Sequence, residues 1–216
     1  MTPLQAQYYI QTTTFGVLRE TGNHMRKLIY YVATTIDGFI AGPDGQFDFF
    51  TIDPELMSVV NAEQPETVPT AFRAQCGLET APNKRFDTVL MGRGTYEPAL
   101  KEGITSPYAH LRQYVFSQTL SAADPGVEIV SSDPVEFVQR LKEQPGQEIW
   151  LCGGGRLAGS LLPMIDELMI KRYPVIAGSG IPMVDRPFDP AGFAVTGVRT
   201  FGSGASFTTY VRASDG

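Results

Sequence analysis

Glu148-Ile149-Trp150-Leu151-Cys152-Gly153-Gly154-Gly155-Arg156-Leu157-Ala158-Gly159-Ser160-Leu161-Leu162 decides how this chain is read. An apolar run stops at three glycines, and an amphipathic segment starts at once. The pattern predicts a buried strand, a tight turn and the first turn of a helix. Glycines let backbone N–H groups approach a ligand closely, and a helix N-terminus carries partial positive charge. Together they make an anion site, most often for a phosphate. The other reading is a turn whose glycines serve only close strand–helix packing. Gly153-x-Gly155-x-x-Ala158 also matches the dinucleotide fingerprint G-x-G-x-x-G/A. A Rossmann fold, however, places that turn after its first strand, with an acid about 20 residues on. Here the turn follows roughly the fifth strand, and Lys171-Arg172-Tyr173-Pro174 brings no acid. The turn therefore belongs to some other α/β fold.

The strands and helices around it support that class. Strand patterns fall at Met25–Ala33, Asp87–Met91, Tyr114–Phe116, Val127–Val130, Glu148–Cys152, Glu167–Tyr173 and Phe207–Arg212. The middle ones are short continuous apolar runs, as in strands covered on both faces. Helical patterns alternate with them at Pro54–Ala62, Gly94–Leu100, Asp133–Lys142 and Arg156–Leu162. Asp53-Pro54 and Asp133-Pro134 each offer a cap followed by proline at the first helical position. The alternation predicts an α/β domain with a largely parallel central sheet, and the last strand, after Gly202-Ser203-Gly204, is expected as an antiparallel edge. Residues 1–24 are polar and aperiodic and are expected to form a tail, with Met25 a possible natural start. Residues 25–216 are expected to be one domain.

Composition excludes several classes. Of 216 residues 43% are hydrophobic, enough for a substantial core, and 19% are charged, too few for long solvated helices to dominate. The net charge is −6 with no Lys/Arg cluster, which argues against nucleic acid and anionic membrane surfaces as partners. No apolar run is as long as a membrane span, and the start lacks a signal-peptide pattern. Of the two cysteines, Cys152 ends an apolar strand and reads as a buried free thiol, in keeping with a cytoplasmic setting. With two histidines, His24 and His110, and no ligand spacing, neither a zinc site nor a Ser-His-Asp triad is supported. The chemistry is then expected from a bound cofactor acting on a small molecule.

Three further motifs repeat the logic of the glycine turn. Asp87-Thr88-Val89-Leu90-Met91-Gly92-Arg93-Gly94-Thr95-Tyr96 is again strand, glycine and helix start. Arg93 leaves the sheet's C-terminal edge, where open α/β sheets hold ligands, and a guanidinium there suits a phosphate; alternatively it pairs with a surface carboxylate. Val115-Phe116-Ser117-Gln118-Thr119 ends a strand in hydroxyl and amide groups, or simply makes a turn. In Ile36-Asp37-Gly38-Phe39-Ile40-Ala41-Gly42-Pro43-Asp44-Gly45 two Asp-Gly turns enclose apolar Phe39 and Ile40, as in a loop folded over a pocket.

In this order these pieces resemble the dihydrofolate reductase-like superfamily, nearest to the branch holding the reductase domain of bacterial riboflavin biosynthesis, the RibD C-terminal domain family. The resemblance rests on Ile36–Ala41, Val89–Tyr96, Gly153–Leu157 and Pro174-Val175-Ile176-Ala177-Gly178-Ser179-Gly180-Ile181-Pro182, and covers residues 26–212. It implies a mostly parallel sheet of about eight strands with an antiparallel C-terminal strand, flanked by helices. It implies NADPH as hydride donor, and a homodimer. By match to the motifs, Arg93 and Thr95 would meet the adenosine end and its 2′-phosphate, helped by Ser117, and Gly92 would be among the cofactor-binding residues. Gly153, Gly154, Gly155, Arg156, Leu157 and Ala158 would cradle the pyrophosphate, and Ala33 and Ile40 would border the nicotinamide.

The departures concern the substrate. Folate reductases carry an acid on the helix after the first loop; here Asp53 stands near that place and is equally a helix cap. The riboflavin-pathway reductase usually adjoins a deaminase, whose H-x-E…P-C-x-x-C zinc signature is missing. The sequence reading is thus an NADPH-dependent reductase of a small pterin- or pyrimidine-like heterocycle, with Asp37 and Asp53 as candidate proton donors. The alternative is a nucleotide-binding protein of the same fold without turnover.

Overall fold

The computed structural model describes residues 25–121 and 124–213; the expected tail, with His24, lies outside them. Ten strands and four α-helices follow in chain order. They are β1 (Leu28–Thr34), β2 (Phe39–Ala41), α1 (Pro54–Glu63), β3 (Phe86–Gly92), α2 (Arg93–Lys101), β4 (Arg112–Phe116), β5 (Val127–Val130) and α3 (Pro134–Lys142). Then come β6 (Glu148–Gly153), α4 (Gly155–Leu161), β7 (Glu167–Arg172), β8 (Ile181–Pro182), β9 (Phe193–Thr200) and β10 (Ser206–Arg212).

Eight strands form one sheet in the order β5-β4-β3-β6-β1-β7-β10-β9. The first six run parallel, β10 is antiparallel to β7, and β9 is antiparallel to β10. This is the expected dihydrofolate reductase-like class. One detail differs. The last strand, expected at the edge, has partners on both sides, and the edge is β9. Apart from Phe193 and Gly197, β9 is exposed along its length, so it carried no buried-strand pattern to read. Strands β2 and β8 pair as a separate two-stranded ribbon.

The sheet is buried on both faces because its side chains alternate. On β1, Ile29 and Tyr31 join Leu56 and Val60 of α1, Tyr96 of α2, Trp150 and Phe207 on one face. Leu28, Tyr30 and Val32 join Val138 and Leu141 of α3 and Leu157 and Leu161 of α4 on the other. A fully buried side chain of this size contributes about 1.5–3 kcal/mol, so such rows hold the sheet in register. Two polar tips inside are matched: Tyr30 Oη donates to the Met183 carbonyl at 2.7 Å and Trp150 Nε1 to the Tyr31 carbonyl at 3.1 Å.

The long segment between α1 and β3 carried few signals in sequence, yet it is fastened. Glu66 is 0% exposed, and its carboxylate accepts from the backbone N–H groups of Lys84, Arg85 and Phe86. Arg73, also buried, donates to the carbonyls of Pro65 and Ala81. His110 bonds the Glu66 carbonyl at 2.8 Å and Thr70 Oγ1 at 2.9 Å, so it belongs to this brace. Glu66→Ala leaves buried amides without an acceptor and is expected to cost about 3 kcal/mol, read as a lower midpoint in urea unfolding.

Candidate functional site

The C-terminal ends of β1, β3, β4, β6 and β7 lie at one edge because those strands are parallel. Two of the helices that start at this edge, α2 and α4, lack a side-chain cap. Asp53 caps α1 through the N–H groups of Glu55 and Leu56, and Asp133 caps α3 through those of Val135 and Glu136. By contrast the N-caps of α2 and α4 are Gly92 and Gly154, with no side-chain cap. Their first-turn N–H groups are thus left for another acceptor.

These two glycines meet. A Cβ on Gly92 would stand 3.3 Å from the Gly154 nitrogen, 3.5 Å from the Gly153 oxygen and 3.7 Å from Leu157 Cβ. A Cβ on Gly154 would have only Thr95 Oγ1 at 3.5 Å and Ile40 Cδ1 at 3.9 Å as neighbours. The structure therefore brings Gly92, Thr95, Ile40, Gly153, Gly154 and Leu157 into one lined gap. The Gly153–Gly154 peptide is cis, and Gly153 has a φ of +132° that side chains rarely adopt.

The rest of the glycine motif divides differently. A Cβ on Gly155 would stand 2.1 Å from the Pro182 oxygen, and one on Gly159 2.0 Å from the Asp185 oxygen. At these positions the glycines serve close packing, the alternative that sequence left open. Ala158 is fully buried within α4's packing face. The Arg156 side chain is 95% exposed and lies 3.6 Å from Asp185. At the far side Arg93 donates to Glu97 and, at 2.8 Å, to Thr119 Oγ1. Ser117 Oγ accepts from the N–H groups of Thr119 and Leu120, so Arg93 and Ser117 share one corner through Thr119.

Both candidate acids are engaged as acceptors. Asp37 takes the Thr35 hydroxyl at 2.6 Å and the N–H groups of Ala177 and Gly178. It thereby clasps the β1–β2 turn to the segment after β7. The Thr35 hydroxyl above all, with these amides, holds its carboxyl down at about 2. Asp53 accepts from Ser203 Oγ besides capping α1, and the Ser203 bond foremost holds its carboxyl below the usual range. Between the clasped loops lies a cavity of about 330 Å³ lined by Gly42, Pro43, Gln46, Phe49, Val175, Ile176, Ala177 and Ser179. Ile176 in its lining is exposed, as are Ile36, Phe47 and Ile52 on the loops after β1 and β2.

One face of the sheet carries residues that the sequence reading passed over. Ala33, half-buried, pairs in register with Lys171 of β7, and Lys171 pairs with Phe207 of β10. Lys171 Nζ stands 4.5 Å from the centre of the Tyr31 ring. Burial pushes the nearby Cys152 thiol up to about 12 and the Tyr108 phenol well above its usual range. The available signal was strand alternation: Met169, Lys171 and Tyr173 share one face. Among the described residues there is no group of three or more His, Cys, Asp or Glu placed to hold a metal, and no helix long and apolar enough to cross a membrane.

Sequence and fold comparisons agree with this architecture. The family model of the RibD C-terminal domain matches residues 26–207. YwjB of Bacillus subtilis (strain 168), an uncharacterized protein, is 29% identical over 191 residues, which cover 87% of this chain and 99% of YwjB. The crystal structure of a "Putative riboflavin biosynthesis protein" from Shewanella sp. PV-4 superposes with a TM-score of 0.65 at 26% identity, covering 87% of this chain and 99% of that one. Dihydrofolate reductase from Enterococcus faecalis, complexed with NADP(H) and RAB-propyl, shares the fold with a TM-score of 0.60 at 14% identity, covering 87% and 97%.

Because the Asp37 carboxylate is held well below the ordinary aspartate value, its clasp is present above about pH 4 and lost as pH falls towards 2. Asp37→Asn is therefore expected to melt earlier than the native chain at neutral pH. The gap should close through that acid window, as followed by circular dichroism from neutral pH downward.

Proposed function

The chain belongs to the RibD C-terminal domain family, and on that premise we propose that it is an NADPH-dependent reductase of a small heterocycle. The observation that carries the reading is the meeting of two uncapped helix N-termini at Gly92 and Gly154. Capped helices elsewhere in the same chain satisfy their own first turns. These two converge on a gap that a single methyl group would enter, as a site for a pyrophosphate requires.

In this reading Gly92, Gly153 and Gly154 hold the pyrophosphate by backbone N–H groups, with the Arg156 amide beside them. Gly155, Leu157 and Ala158 shape the turn by packing. Arg93, Thr95 and Ser117 meet the adenosine end, where Arg93 offers a cation already steered outward by Glu97 and Thr119. Ala33 and Ile40 border the nicotinamide. When bound, NADPH supplies a hydride. The chain's part is to orient the two reactants and exclude water, for which the apolar Phe49, Val175 and Ile176 of the cavity lining are suited. Asp37 and Asp53 act as positioning residues, since both are held ionised at neutral pH, and the proton comes from elsewhere in the site. A homodimer formed through the exposed β9 edge belongs to the same proposal.

Two substitutions test the cofactor assignment. Arg93→Ala is expected to weaken NADPH about tenfold or more and NADH about twofold or less, by fluorescence titration, since only the 2′-phosphate is lost. Equal weakening would move Arg93 to the pyrophosphate or to a purely structural task. Gly154→Ala adds its methyl to the gap while meeting nothing closer than 3.5 Å. It should therefore lower affinity for both nucleotides while changing unfolding free energy by about 1 kcal/mol or less. Gly155→Ala, whose Cβ falls on the Pro182 oxygen, should instead destabilise by about 3 kcal/mol.

A further inference from the structure

Charged groups buried among the described residues are matched, whereas one partly buried lysine is not. Arg26 and Lys142 face Asp87 and Asp166, Glu167 takes Lys27 and Arg85, Arg73 donates to backbone carbonyls, and Glu66 accepts backbone amides. Lys171 stands apart. Its ammonium has no hydrogen-bond or ion-pair partner among the described residues, only the face of the Tyr31 ring. The titratable groups that act on it are the Tyr173 hydroxyl and the Cys152 thiol; neither is a carboxylate. Burial holds its pKa below the ordinary lysine value. The residue is nevertheless of intermediate exposure, so solvent reaches part of it.

Its place in the sheet sets its surroundings. Lys171 lies in the same cross-strand row as Ala33, at the parallel strands' C-terminal end, on the face shared by Tyr31, Trp150 and Cys152. The Phe50–Tyr173 pair, with ring centres 5.1 Å apart, stands at the end of β7 beside it. Asp53, one of the two candidate acids, is taken by Ser203 and the α1 amides. A ring that presents an anionic oxygen finds an unmatched cation at Lys171. A desolvated charge of this kind is costly unless a partner arrives.

We propose that Lys171 is the substrate-selecting cation of this site, and that the substrate is a planar ring bearing an anionic oxygen, a carboxylate or an enolate, which the Lys171 ammonium receives. This rests on the reductase reading above and narrows its substrate class.

The chain's single tryptophan, Trp150, packs 4.9 Å from Tyr108 and 6.2 Å from Tyr31, centre to centre, so its fluorescence reports changes around the Tyr31 ring. The experiment titrates orotate and barbiturate, both anionic at neutral pH, against neutral uracil and 2,4-diaminopyrimidine. It uses the full chain with and without NADPH. The native protein should bind at least one anion tenfold or more tightly than uracil. Lys171→Met should erase that preference while leaving affinity for uracil and NADPH unchanged, and should raise the melting temperature, because an unmatched charge has been removed. Lys171→Gln provides the same comparison if the methionine variant misfolds. Equal binding of anions and uracil by the native chain overturns the proposal, as does a preference that survives in both variants. So does a lowered melting temperature with weakened uracil binding, which would make Lys171 a brace for Tyr31. Absence of NADPH binding with a lysine-dependent anion preference would sink the reductase reading and leave the anion site standing. NADPH binding without the preference would do the reverse.

Discussion

The contact between Gly92 and Gly154 is the constraint on which the site depends. Strands β3 and β6 are neighbours, parallel, and buried on both faces, so their ends emerge together and turn into helices within one residue of each other. Leu90 pairs with Leu151 and Met91 with Gly153, with a register shift between them that brings the two turns level. A side chain at Gly92 would press on the Gly154 backbone. The apolar core and the candidate site are therefore not separate features. The packing that buries Val89, Leu90, Trp150 and Leu151 also sets the spacing of the two helix starts.

Close approach of this kind recurs on the other side of α4. Gly155 and Gly159 let the segment around Pro182–Arg186 lie directly on the helix, and the Asp185 N–H donates to the Gly155 carbonyl at 3.0 Å. The same segment carries β8, which pairs with β2 and so ties down the loop that holds Ile40. Asp37 fastens the neighbouring turn from the opposite direction. The glycines of this run thus divide their labour: Gly153 and Gly154 lie at the gap, while Gly155 and Gly159 let the Pro182–Arg186 segment pack on α4.

Much of the fold was legible because its signals are local. Asp53-Pro54 and Asp133-Pro134 announce their helices by cap chemistry, and both caps are made. The buried strands announce themselves by unbroken apolar runs. What escaped the reading depends on partners distant in sequence. Strand β9 is exposed along most of its length, so nothing in its side chains marks it; only pairing with β10 makes it a strand. Strands β2 and β8, three and two residues long, exist through each other. Glu66 looked like any surface acid until three amides from a segment about 20 residues away turned towards it.

The candidate site shows the same division in chemical terms. The half around Gly92 and Gly154 is made of backbone, and backbone exposure requires glycine, which leaves a motif in the sequence. Its other half is made of side chains on a sheet face: Tyr31, Cys152, Lys171 and Tyr173, drawn from three strands, with Tyr108 beside them. No spacing links such residues, because β1, β6 and β7 become neighbours only through two crossovers. A single strand still held a clue. In Leu168-Met169-Ile170-Lys171 a charge occupies an inward-facing position of an otherwise apolar run. In a chain of net charge −6 a counter-ion for it would be easy to supply, yet none of the groups acting on it is a carboxylate. Stability alone would place an apolar residue there. The cation is better understood as a group whose partner comes from outside the chain.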